Sequence, residues 1–187
     1  MKITKEYPGL VLKDYCYEFQ GSIESEAEIV IDLEGRWLKV TGSLTAKTYI
    51  KAGWGIEAGW GIEAGGGIEA GGGIKAGWGI KAGWGIEAGW GIKAGSGIKA
   101  GSGIEAGWGI EAGWGIEAGW GIEAGSGIKA GDDYGIFAGL RVRLSQMAEY
   151  ALVIAKEAPK NLMSGVFKAK EATPEEEAAA VEEDVPF

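Results

Sequence analysis

The side chains best equipped for recognition chemistry are tryptophans, and they recur at a fixed spacing. Trp54, Trp60, Trp78, Trp84, Trp90, Trp108, Trp114 and Trp120 fill the variable position of a six-residue phrase, A-G-x-G-I-[E/K]. The phrase runs through thirteen uninterrupted copies from Ala52 to Lys129. Its last position holds Lys75, Lys81, Lys93, Lys99 and Lys129 in five copies and Glu in eight. An indole flanked by glycines can stack on an unpaired base, worth about 1–3 kcal/mol per base with no sequence preference. The interspersed lysines could meet phosphates. The same indoles could instead bury themselves against another copy of the chain, since Trp is favoured at interfaces. Eight glutamates argue against a strongly basic channel, so any nucleic-acid binding is expected to be less salt-dependent than usual.

Other chemistry is excluded by composition. There is no His and only one Cys, Cys16. Zinc sites built from His and Cys cannot form, nor can a Ser-His-Asp or Cys-His nucleophile or a disulfide within the chain. The carboxylates recur as a series rather than as a unique pair. The chain reads as a non-enzyme with no catalytic residues, no metal and no cofactor.

The hexad dictates the elements that carry these side chains. A period of six does not fit the 3.6-residue stripe of a helix, and two Gly per hexad would cost a helix roughly 1 kcal/mol each. Collagen would need Gly at every third residue. A short strand and a tight corner, stacked coil on coil, does fit, and gives an all-β parallel solenoid. Ile suits the strand and Gly the corner. The invariant Ile and Ala form interior ladders and the charged position an exterior one. Taking every twelfth residue alternates Lys51, Glu63, Lys75, Glu87, Lys99 and Glu111. Taking every eighteenth stacks Glu69, Glu87, Glu105 and Glu123 as like charges. Opposite charges in neighbouring strands attract, so the reading prefers twelve residues per coil, with about six coils in a rod of roughly 30 Å.

The tryptophan position has two readings. It shares strand parity with Ala and Ile, which suits a core. Yet Trp, Ser and Gly exchange there between otherwise identical copies, and a packed core notices a single methylene. That tolerance suits a surface or a corner, where rows of exposed aromatics mark a binding site.

The organisation that follows is an N-terminal cap with irregular first coils over 1–51, the hexad solenoid over 52–131, a C-terminal cap over 132–168, and a disordered acidic tail over 169–187. The cap region leans towards further strands, although Ala, Met and Glu around 145–150 also suit a short helix. The I-x-A and G-x-I phrases of the body resemble bacterial β-solenoids of the bactofilin kind.

Net charge is −9, and the segment 171–187 holds seven acids and no base. The last six residues, Glu182, Glu183, Asp184, Val185, Pro186 and Phe187, set three acids before an apolar residue, Pro and a Phe ring beside the expected free α-carboxylate. This peptide and its linker-like approach resemble the C-terminal tip of bacterial single-stranded DNA-binding protein (SSB). The resemblance implies that these six residues dock onto replication, recombination and repair proteins. The ring would enter an apolar pocket, the carboxylate would be captured by a basic residue, and the acids would steer the approach. It does not extend to the body, because thirteen hexads cannot form an OB-fold. The expectation is an SSB-like analogue, phage- or mobile-element-encoded, that binds single-stranded DNA through its Trp rows and recruits DNA-processing enzymes through its tip. Two alternatives are a decoy that competes with SSB for its partners and a self-assembling structural rod. Homo-oligomers are expected under all three. With no signal-like segment, no apolar run of membrane length and a single Cys, the expected compartment is the cytoplasm.

Overall fold

The computed structural model describes residues 1–171. Within them the chain winds as a parallel β-solenoid with three sheets of nine, eight and eight strands. Each hexad contributes one strand, Ile-[E/K]-Ala in all but the last (Ile128–Lys129), and successive hexads go to successive sheets. Strand Ile68–Ala70 lies between Ile50–Ala52 and Ile86–Ala88, so each residue pairs with its equivalent eighteen positions away. A rung spacing of about 4.8 Å makes the nine-strand sheet roughly 40 Å long.

The coil therefore holds three hexads, which corrects the expectation of twelve residues. That expectation gave most weight to repulsion between stacked like charges. Those charges lie on the exposed side of each strand, where opposed like charges cost only tenths of a kcal/mol. The interior decides instead. Every repeat Ile from Ile56 to Ile128 and every repeat Ala from Ala52 to Ala124 is buried, with 8% exposure at most. Enclosing an Ile side chain contributes about 1.5–3 kcal/mol. Three sides bring three Ile and three Ala to the axis on each full turn of the coil.

The glycines act through space rather than through unusual dihedrals. None of the repeat glycines lies in the left-handed region. From Gly59 on, the first Gly of each hexad passes directly beneath the previous coil: a Cβ on Gly77 would sit 2.0 Å from the Gly59 carbonyl oxygen. Only a residue without a side chain allows backbones to approach so closely.

Both ends depart from the repeat. At the N-terminus, Leu10–Lys13 folds back antiparallel on Cys16–Phe19 and covers the end of the second sheet. Cys16 is buried there, and burial pushes its thiol pKa up. After Ile136–Phe137 the chain makes a short 3-10 turn, Leu144–Gln146, and one helical turn, Met147–Tyr150. It then returns to strands: Leu152–Ala155 and Val166–Ala169 extend the first sheet, and Leu162–Ser164 extends the third. Both the helix and the strands open to the sequence in this region are thus present. Of the expected disordered tail, 169–187, Ala169 closes the last strand, and the residues from 172 onwards lie outside the described residues.

Candidate functional site

The indoles stand on the outside. Trp60, Trp78, Trp84, Trp90, Trp108, Trp114 and Trp120 are all exposed, from 38% at Trp90 to 65% at Trp78. Trp54 is half-buried. The variable residue is the corner between two sheets, and its backbone continues the stacking: the Trp78 N–H donates to the Trp60 carbonyl at 3.1 Å, and Ser96 donates in turn to Trp78. The side chain leaves the coil, which is why Trp and Ser exchange there; at Gly66 and Gly72 a Cβ would come within 3.0 and 2.9 Å of the preceding coil, and Gly fits that closer approach.

Eighteen-residue coils distribute the eight indoles over three corners. One corner carries Trp54, Gly72, Trp90, Trp108 and Ser126. The second carries Trp60, Trp78, Ser96 and Trp114. The third carries Gly66, Trp84, Ser102 and Trp120. Where Trp occupies adjacent coils the rings stack on each other, Trp60 on Trp78 at 6.0 Å and Trp90 on Trp108 at 5.8 Å between centroids. A base needs about 3.4 Å on either side, close to 7 Å in all, so it cannot enter between such pairs. Around Gly72 the rings close up, with Trp54 and Trp37 both against Trp90. Ser96 and Ser102 do the opposite. Each sets its two flanking indoles two rungs apart along the backbone, about 9.6 Å, without the ring contact that Trp54 and Trp90 make across Gly72.

The sequence-predicted lysines fall on two of the three sheets, and each has a carboxylate partner eighteen residues away. Lys75 and Lys93 belong to the second sheet and pair with Glu57 at 3.8 Å and Glu111 at 2.9 Å. Lys81 and Lys99 belong to the third and pair with Glu63 and Glu117. None lies on the first sheet, whose ladder is Lys51, Glu69, Glu87, Glu105 and Glu123. The structure therefore does not join all eight indoles and four lysines into one surface.

It does assemble a cationic aromatic recess that the repeat alone does not announce. Trp120, Arg141, Val142, Arg143, Gln146 and Tyr150 line a hollow of about 360 Å³ at the C-terminal end of the third corner, with no carboxylate among them. The loop is tied to the corner by backbone bonds, Gly139 N–H to the Trp120 carbonyl at 2.8 Å and Arg141 N–H to the Gly119 carbonyl at 2.9 Å. The Arg141 side chain lies back along the corner glycines. Its Nη1 would be 3.3 Å from a Cβ on Gly101, the residue before Ser102. Tyr150 extends the aromatic column, 6.4 Å from Trp120. A hydrogen bond with Glu149 pushes the Tyr150 phenol pKa up. On the other flank of the same column, Glu87, Glu105 and Glu123 line a groove with Trp84 and Trp120. An anion approaching these rings is thus admitted from the arginine side and repelled from the other.

The other aromatic members are Trp37, Tyr49 and Tyr134. Trp37 stands eighteen residues before Gly55, where a Cβ would strike its ring at 2.4 Å. Tyr134 stacks on Trp114 at 5.8 Å, displaced two residues from the eighteen-residue phase by the Asp132–Asp133 insertion. Among the described residues no group of three or more His, Cys, Asp or Glu is arranged to hold a metal ion, and no helix is long and apolar enough to cross a membrane. Glu182 to Phe187, the predicted partner-binding tip, lie outside the described residues. The chain matches no protein-family model, no curated protein and no solved structure, so function has to be read from the geometry of the site.

Proposed function

We propose that the protein binds single-stranded DNA on the third corner of the solenoid and recruits DNA-processing proteins through Glu182–Phe187. The observation that carries the first half is the recess lined by Trp120, Arg141, Arg143 and Tyr150, which adjoins the corner where Ser102 stands between Trp84 and Trp120. A base stacks between Trp84 and Trp120, its phosphate meets Arg141 and Arg143, and Tyr150 offers a further ring. Guanidinium groups suit this role because they pair with phosphate in a planar fork and also stack on aromatic faces. Few phosphates are engaged, so salt weakens binding with a shallow slope of about −0.7 per phosphate for a single strand. The second half rests on the resemblance of the tip to that of SSB. Under this reading the protein is an SSB analogue on a scaffold unrelated to the OB-fold.

The test is a titration of oligo-dT against the wild type and the Arg141→Ala/Arg143→Ala variant. The proposal expects micromolar binding by the wild type and at least tenfold weaker binding by the variant. Equal affinity for both would remove the arginines from the site.

A second reading, the structural rod, draws on a different observation. Trp60–Trp78 and Trp90–Trp108 each spend one ring face on the other, and Lys75, Lys81, Lys93 and Lys99 are already paired. Filaments visible by electron microscopy that persist without residues 172–187 would favour it.

A further inference from the structure

The three sheets carry different charge. On the first, the charged ladder positions run Lys2, Lys51, Glu69, Glu87, Glu105, Glu123 and Lys168, so four glutamates fill its middle, and Glu87 and Glu105 are neighbours in register. Lys51 pairs with Glu69 and Lys170 with Glu123, while Glu87 and Glu105 have no ion-pair partner among the described residues. On the second, Lys39, Lys75, Lys93 and Lys129 outnumber Glu18, Glu57 and Glu111 by one, and Lys75 and Lys93 are neighbours in register. On the third, Glu24, Glu63 and Glu117 outnumber Lys81 and Lys99 by one, and both lysines are already ion-paired.

We propose that the acidic middle of the first sheet of one copy docks on the basic middle of the second sheet of another, through the Glu87–Glu105 and Lys75–Lys93 pairs. Two copies of one solenoid share the same rung spacing, so a ladder of carboxylates one rung apart meets a ladder of ammonium groups one rung apart without mismatch. Each pair repels itself within the monomer, and the contact relieves both repulsions. An ammonium group has three donors, so Lys75 and Lys93 can take a second carboxylate while keeping Glu57 and Glu111.

The aromatic ridges set the orientation. On each face the rings lean over the start of the following strands, Trp84 and Trp120 on the first sheet and Trp37, Trp90 and Trp108 on the second. With the two axes parallel, the coils circulate in the same sense, so facing strands run in opposite directions and the ridges fall on opposite edges of the contact. With antiparallel axes they would collide. A face about 40 Å long and roughly 15 Å wide buries on the order of 1,200 Å² in total, at the lower end for a specific interface. The contact is thus weak and salt-sensitive. It joins two different faces, so it propagates to a ring or an open assembly rather than stopping at a dimer. It does not depend on nucleic-acid binding.

Sedimentation velocity on the full chain at low salt tests this with two charge-reversed variants, Glu87→Lys/Glu105→Lys and Lys75→Glu/Lys93→Glu. The wild type is expected to sediment faster than a monomer at low salt and as a monomer above about 0.5 M salt. Each variant alone is expected to stay monomeric, since both of its faces then carry the same sign. An equimolar mixture of the two is expected to assemble again, because each supplies the face the other lacks. A monomeric wild type, a variant that assembles alone, or a mixture that stays monomeric would each overturn the proposal. Circular dichroism of each variant confirms the fold. A chain ending at residue 171 is expected to assemble as the full chain does; if assembly vanishes with residues 172–187, their acids and not the first sheet occupy the lysines, and the proposal fails.

Discussion

Replacing glycines one at a time separates close coil stacking from corner flexibility, because the space around them differs so sharply. A Cβ on Gly77 would lie 2.0 Å from the Gly59 carbonyl oxygen, where ordinary contact begins at 3.4 Å. Gly77→Ala must therefore part the two coils locally by about 1.4 Å, more than a close-packed interior absorbs without loss. Two hydrogen bonds span the same gap, Gly77 N–H to Ala58 at 2.9 Å and Trp78 N–H to Trp60 at 3.1 Å. Losing or stretching both costs about 1 kcal/mol each, and overpacking adds about 1–3 kcal/mol, so the total is about 3–5 kcal/mol. A Cβ on Gly61 would lie 3.3 Å from the Gly79 oxygen, a contact that a small shift relieves at a cost of about 1 kcal/mol. Gly127 has nothing within 4 Å. Its backbone is not left-handed, so Gly127→Ala is neutral or gains about 0.4–1 kcal/mol by restricting the unfolded chain. Urea denaturation of the three variants, followed by far-ultraviolet circular dichroism, reads the order directly. If Gly77→Ala and Gly127→Ala unfold at the same urea concentration, close approach is not what these glycines provide.

Three further predictions follow from the same geometry. Glu87→Lys, measured on dilute protein, turns two like-charge neighbours, Glu69 and Glu105, into opposite ones and raises stability by a few tenths of a kcal/mol; in a twelve-residue coil its neighbours would be Lys75 and Lys99, and the same change would lower stability. Ile80→Ala, at a site with 1% exposure, costs about 2–5 kcal/mol, whereas Trp78→Ala, at 65% exposure, costs about 1 kcal/mol or less, the worth of its stack on Trp60; comparable losses in thermal unfolding would place the indole in the core. Cys16 reacts slowly with a thiol reagent at pH 8 in the folded chain and rapidly in urea, since burial raises its pKa and leaves less thiolate, the reactive form.

Interior and exterior were legible from the repeat because invariance has a physical cause. Ile and Ala never vary because they fill an axis of fixed width, and the Trp/Ser/Gly exchange marks a side chain that leaves the coil. Coil length was not legible by the same route. The charge ladder that suggested twelve residues is exposed, and exposed charges carry too little energy to choose a cross-section. Nor could the hexad reveal the arginine recess, since it depends on a loop after the phase break at Asp132 and on a turn, Leu144–Tyr150, with no periodic signal of its own. Arg141 and Arg143, two apart in a locally positive stretch, were the one visible hint. The two-residue insertion at Asp132–Asp133 hides Tyr134 in the same way, by moving it out of phase with Trp114.

The account stands most directly on what oligo-dT does to the tryptophan emission of the full chain. If a base stacks between Trp84 and Trp120, saturable quenching is expected at micromolar oligonucleotide, diminished in Trp84→Ala and Trp120→Ala and retained in Trp60→Ala. Emission unchanged through that range, or quenching equally lost in all three variants, would contradict a binding site on the third corner.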